Sequence, residues 1–110
     1  MKKVSKLFDI SPFQKELTVF CRNWKIKSIA LFGSAIRDDF SEQSDVDLLI
    51  TYHRDASHDL LDLSDMIVGL EKIFNRKVDI VEREAVEKSG SQLLKEEILG
   101  SAKTIYDEAA

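Results

Sequence analysis

The chain has 110 residues, 44% of them hydrophobic and 33% charged, with a formal net charge of −4. That length suits one domain, residues 1–110, with a small core. The acidic balance gives no electrostatic basis for general nucleic-acid binding, no apolar run reaches membrane-spanning length, and the lone Cys21 excludes a disulfide framework within the chain. Met1-Lys2-Lys3-Val4 leads into no apolar signal-type segment, so a cytoplasmic protein is expected.

In chain order, Ser11-Pro12-Phe13-Gln14 reads as a helix start, with Ser11 as cap, Pro12 at the first helical position and Gln14 closing a capping box. Phe13, Leu17, Phe20, Cys21 and Trp24 then recur at three- and four-residue steps and form one apolar face, with Cys21 and Trp24 read as core. Residues 28–32 read as a buried strand stopped at Gly33, and 35–43 as a polar, irregular stretch. A second strand is expected over 45–52 and a loop over 53–57. Leu60, Leu63, Ile67, Leu70 and Phe74 mark the longest helix, ended by Asn75. A third strand over 77–82, a helix over 91–99 closed by Gly100, and a last short strand over 102–106 complete the chain. The order of elements indicates an α/β (α+β) sheet with helices covering it.

Asp45 and Asp47 stand at the start of the second strand. Strand side chains alternate between faces, so the two carboxylates project to one side while Val46, Leu48 and Ile50 pack on the other. Adjacent carboxylates repel unless a cation sits between them, and Mg²⁺ takes hard oxygen ligands of this kind together with substrate phosphates. Gly33-Ser34, ten residues before the pair, supplies the complementary half: a glycine lets backbone N–H groups approach an anion, and the serine hydroxyl adds a donor. Arg37 follows with a forked guanidinium able to reach the same phosphates. Asp79 lies between Val78 and Ile80, an expensive place for a carboxylate unless it faces the same site. Three carboxylates can hold two metal ions about 4 Å apart, the arrangement used for in-line phosphoryl displacement. His53 and His58 flank a polar loop and are assigned no role, and Glu82, Glu84, Glu87, Glu96 and Glu97 read as a charged solvent face.

Gly33-Ser34, Asp45-Val46-Asp47 and the later Asp79 resemble the nucleotidyltransferase superfamily typified by DNA polymerase beta, and the size resembles its minimal (MNT) branch. The resemblance runs from about residue 28 to residue 81. It implies a small mixed β-sheet with helices packed on one side, and transfer of a nucleoside monophosphate, AMP from ATP, to an acceptor hydroxyl. It implies that Gly33, Ser34, Arg37 and Ser44 hold the nucleotide. It implies that Asp45, Asp47 and Asp79 are catalytic and bind Mg²⁺, with two ions expected and Asp79 helping to deprotonate the acceptor. Many minimal members accompany a HEPN-domain toxin and act as its antitoxin, several by modifying a tyrosine of the toxin. That partner is the one expected here. Two other readings stand beside it: an antitoxin that neutralises by binding alone, and an enzyme of the same chemistry acting on a small molecule.

Overall fold

The computed structural model describes residues 9–33 and 44–109. A 3₁₀ turn, Ser11–Phe13, leads into helix α1, Gln14–Asn23, followed by strands β1, Ile26–Phe32, and β2, Val46–Tyr52. Helix α2, Leu60–Phe74, crosses to strand β3, Val78–Glu82; helices α3, Arg83–Glu87, and α4, Gln92–Ser101, lead to strand β4, Lys103–Asp107. The strands form one mixed sheet in the order β3-β2-β1-β4. β1 pairs antiparallel with β2 and with β4, whereas β2 and β3, joined through α2, are parallel.

The register explains how the sheet divides its residues. Leu31, Leu48 and Ile80 form one row across β1, β2 and β3, and Ala30, Leu49 and Val81 form the next. The first row joins the main core, where Leu17, Phe20 and Cys21 of α1 and Met66, Leu70 and Phe74 of α2 are buried. The second row faces the opposite way, against Val86 of α3 and Ile98 and Leu99 of α4. Helices α1 and α2 thus share one face, and the C-terminal pair α3 and α4 adds a smaller cover on the other. Each Leu or Ile wholly withdrawn from water stabilises the fold by about 1.5–3 kcal/mol, so the larger cluster dominates. Trp24 is half-buried and packs against it, beside Phe20.

Local signals decide where the helices begin and end. The expected capping box at Ser11 does not form. Pro12 tightens the chain into a 3₁₀ turn, with Phe13 N–H donating to the Ile10 carbonyl at 2.9 Å, and Ser11 N–H instead donates to Asp9 Oδ1 at 3.0 Å. A reciprocal capping box occurs at α2: Asp62 N–H donates to Asp59 Oδ1 at 2.8 Å, and Asp59 N–H to Asp62 Oδ2 at 3.1 Å. Asn75 ends α2 in the left-handed conformation at φ +56°, as the sequence indicates. Gly100 does not end α4. The helix runs through it to Ser101, whose hydroxyl bonds the Glu97 carbonyl, and stops at extended Ala102, where β4 draws the chain away. The short α3 stands where only a charged surface was expected.

Candidate functional site

The row before Leu31-Leu48-Ile80 is Phe32-Asp47-Asp79. It belongs to the face of Ala30, Leu49 and Val81, away from the main core. Parallel pairing of β2 with β3 therefore sets Asp47 and Asp79 side by side on neighbouring strands, at the end of the sheet where β1 stops and β2 begins. Asp79 is exposed and Asp47 half-buried. Val46 and Val78, one residue earlier in each strand, point into the core and anchor both carboxylates from below.

Gly33 completes the row from the other side. It follows β1 with φ +67°, a region that side-chain-bearing residues rarely enter. A Cβ placed there would run into Asp47 Oδ2 and come within 3.2 Å of its Cγ. The backbone turn thus lies against the carboxylate, and a side chain there would have to displace it.

The remaining candidate residues divide. Asp45 is exposed just ahead of β2, two residues from Asp47. Ser44 is half-buried, and its carbonyl accepts from Arg76 Nη1 at 3.2 Å, which ties the entry of β2 to the turn before β3. Ser34 and Arg37 lie outside the described residues. Among the described residues, no three His, Cys, Asp or Glu side chains are gathered closely enough to hold a metal ion. What the donor set does offer a hard cation is carboxylate oxygen from two adjacent strands, with a third carboxylate two residues upstream.

Two arginine and glutamate contacts went unremarked in the sequence. Arg76 positions the Ser44–Asp45 segment, and Glu71 Oε2 accepts from Val78 N–H at 3.1 Å, fixing α2 to the start of β3. Neither carries a motif, since both depend on pairing between elements far apart in the chain. At the other end of β2 and β3 a cavity of about 370 Å³ is lined by Thr51, His53, Arg54, Glu82, Arg83 and Glu87, and contains none of the three aspartates. Arg83 Nε donates to Thr51 Oγ1 at 3.1 Å across it. His53 pairs with Glu108 at 2.8 Å, and His58 Nε2 donates to the Trp24 carbonyl at 2.8 Å, so both histidines have structural partners.

The described geometry is that of a known fold. Residues 14–105 match the family model of the nucleotidyltransferase domain. The chain belongs to the nucleotidyltransferase domain family. MJ1379 of Methanocaldococcus jannaschii, named as a candidate protein adenylyltransferase, is 31% identical over 86 residues, covering 78% of this chain and 84% of the relative. A solved structure described as a candidate minimal nucleotidyltransferase superposes with a TM-score of 0.63 at 25% identity, over 89% of this chain and 97% of that one. A chain from a complex described as a tri-AMPylated Shewanella oneidensis HEPN toxin with an MNT antitoxin superposes with a TM-score of 0.61 at 17% identity, over 92% and 75%. The small mixed sheet expected of a nucleotidyltransferase is therefore the observed one, with four strands among the described residues; helices α3 and α4 add cover on the second face, where helices on one side alone were expected.

Proposed function

We propose that this nucleotidyltransferase transfers AMP from ATP to a hydroxyl of a partner protein, a tyrosine of a HEPN-type toxin, and so acts as its antitoxin. The observation that carries this reading is the lateral pair of Asp47 and Asp79, with the side-chain-free turn at Gly33 lying against Asp47. The relative named as a candidate protein adenylyltransferase supports a protein as acceptor. The similarity to a chain of an AMPylated toxin–antitoxin complex supports the kind of partner.

In this reading the backbone at Gly33, with Ser34, Arg37 and Ser44, holds the triphosphate. A glycine turn allows amide groups to approach phosphate oxygens that a side chain would keep away. Asp45, Asp47 and Asp79 hold Mg²⁺, two ions in the full assembly, which supplies charge neutralisation at the α-phosphate when bound. Asp79, on the exposed side of the row, takes the proton of the acceptor hydroxyl. The hydroxyl oxygen bonds to the α-phosphorus, the bond to the β-phosphate breaks, and pyrophosphate leaves with that electron pair.

The test is incubation with α-labelled ATP, Mg²⁺ and a HEPN-type partner, followed by intact-mass analysis. A partner heavier by whole AMP units, with the increment lost in Asp45→Asn, supports the assignment. An unmodified partner held in a stable complex overturns it in favour of neutralisation by binding alone.

A further inference from the structure

The corner between α2 and β3 carries an inference that deepens the transferase reading and rests on it. We infer that Arg76 is a positioning residue for AMP transfer: together with the Lys77 carbonyl it brackets Asp45 and fixes where that carboxylate stands relative to Asp47 and Asp79.

Asp45 is exposed and precedes β2, so it lies ahead of the register that sets Asp47 against Phe32 and Asp79. Two bonds reach the residues on either side of it. Val46 N–H donates to the Lys77 carbonyl at 2.8 Å, and Arg76 Nη1 donates to the Ser44 carbonyl at 3.2 Å. Consecutive residues of one corner thus hold positions 44 and 46. Rungs of a parallel ladder recur at every second residue, so the rung before Val46 would join the Ser44 carbonyl to the Lys77 N–H. Among the described residues no main-chain bond joins those two groups. The Arg76 guanidinium fills that rung from its side chain, and the tie between β2 and β3 is carried past Asp45.

The corner itself is anchored. Asn75, left-handed at φ +56°, donates its N–H to the Glu71 carbonyl at 2.7 Å, and the Glu71 carboxylate accepts from Val78 N–H at 3.1 Å. Glu71 therefore holds residues 75–78 to α2 from both its main chain and its side chain. Leu70 and Phe74 of that helix are buried in the main core. A continuous path of packed and bonded groups runs from the core through Glu71 to Arg76 and on to Ser44 and Asp45.

This placement matters to the chemistry. Groups around a reacting centre must keep their relative places, since a displacement of about 1 Å can lower the rate about a hundredfold. Strand pairing places Asp47 and Asp79. The corner places Asp45, and a charged donor makes a stronger tie to a carbonyl than a neutral N–H does.

Arg76→Ala removes the rung, and Arg76→Lys keeps a charged donor on a long side chain. For each, kcat and KM are measured for AMP transfer to a HEPN-type partner, and hydrogen exchange is followed in the chain without nucleotide or metal. In Arg76→Ala, kcat is expected to fall about a hundredfold, with the loss on kcat rather than on the KM for ATP, and Arg76→Lys should recover most of it. The Val46 amide should exchange about tenfold faster in Arg76→Ala while that of Ile50, in the body of β2, stays at the parent rate. Parent-like kcat in Arg76→Ala overturns the positioning role and leaves the transferase reading standing. A loss confined to KM also overturns it, and makes Arg76 part of the nucleotide cradle. Exchange quickened equally at Val46 and Ile50 overturns it as well, and makes Arg76 a general support of the fold. A parent chain that modifies no protein overturns the transferase reading and this inference with it.

Discussion

Gly33 lies against the carboxylate of Asp47, at φ +67° and where a β-carbon would push that carboxylate aside. Glycine is needed there twice, once for the conformation and once for the approach. Replacing it with alanine puts an L-residue in the left-handed region, which costs about 1–2 kcal/mol before any clash is counted. The added methyl must also displace Asp47 Oδ2. Gly33→Ala is therefore expected to lower the melting temperature while leaving the far-ultraviolet circular dichroism unchanged, and to reduce AMP transfer more than stability. An unshifted melting temperature would show that this turn accepts a side chain.

Asp47 and Asp79 test the row itself. Asn is the same size as Asp and lacks the charge, so Asp47→Asn and Asp79→Asn probe electrostatics with little change in packing. Each is expected to reduce transfer on the order of a hundredfold or more, the scale of losing one preorganised electrostatic group at a reacting centre. Asp79 is exposed, and its variant should melt with the parent. Undiminished turnover in either variant would remove that residue from the chemistry.

The candidate site was legible in the sequence where residue type and strand alternation carry the information, although the burial cost that pointed to Asp79 does not arise, since Asp79 is exposed on the end strand β3. Asp45-Val46-Asp47 and Asp79 each sit in an apolar strand pattern, and alternation alone sets Asp47 and Asp79 away from Val46, Val78 and the core. That the two become lateral neighbours depends on the register of β2 with β3, which no local pattern encodes. Arg76 and Glu71 escaped notice for the same reason: their partners, Ser44 and Val78, are brought to them by tertiary pairing. The helix ends show a different limit. Ser11 and Gly100 carry the right residue types for a cap and a stop, yet Pro12 with Asp9 and the pull of β4 decide otherwise. The short α3 was invisible because only Val86 among its residues is buried, too few for a periodic signal.

The reciprocal cap at α2 is worth a measurable amount. Asp59 accepts from Asp62 N–H, and Asp62 accepts from Asp59 N–H, so two donors that would lack helical partners are satisfied together. Asp59→Ala is expected to cost about 1 kcal/mol, a fall in melting temperature of about 5 °C for a domain of this size. Because α2 supplies Met66, Leu70 and Phe74 to the core, the loss should appear in global unfolding rather than as local fraying. A melting temperature equal to the parent's would mean that water replaces the carboxylate without penalty.

Tyr52 provides a titration handle near the far end of β2. Burial first, and then the nearby negative charge of Glu82, pushes its hydroxyl up to about 12. Tyr106 is shifted in the same direction, chiefly by burial. A raised pKa means that the folded state keeps its proton where the unfolded chain releases it. The stabilisation is complete below about pH 10 and is lost as pH rises from about 10 toward about 12. Tyrosinate absorbance in the native protein should accordingly rise later than in denaturant, and Glu82→Gln should move the Tyr52 component back toward the ordinary value. Coincident native and denatured titrations would contradict the burial.

Cys21 offers the sharpest readout of the core. Its side chain is fully buried in α1 among residues of the main cluster, and burial lifts the thiol from 9.0 to about 12. The thiolate is the reactive form, so in the folded protein it is both scarce and inaccessible at pH 8. Alkylation by iodoacetamide is expected to be negligible in native conditions and complete in denaturant, with the native rate following global unfolding. The pH dependence has the same sign as for tyrosine: the contribution is intact below about pH 9 and lost as pH climbs toward about 12. Rapid labelling of the native protein would show that α1 opens locally, and that the packing of Leu17, Phe20 and Cys21 against the sheet is weaker than their burial indicates.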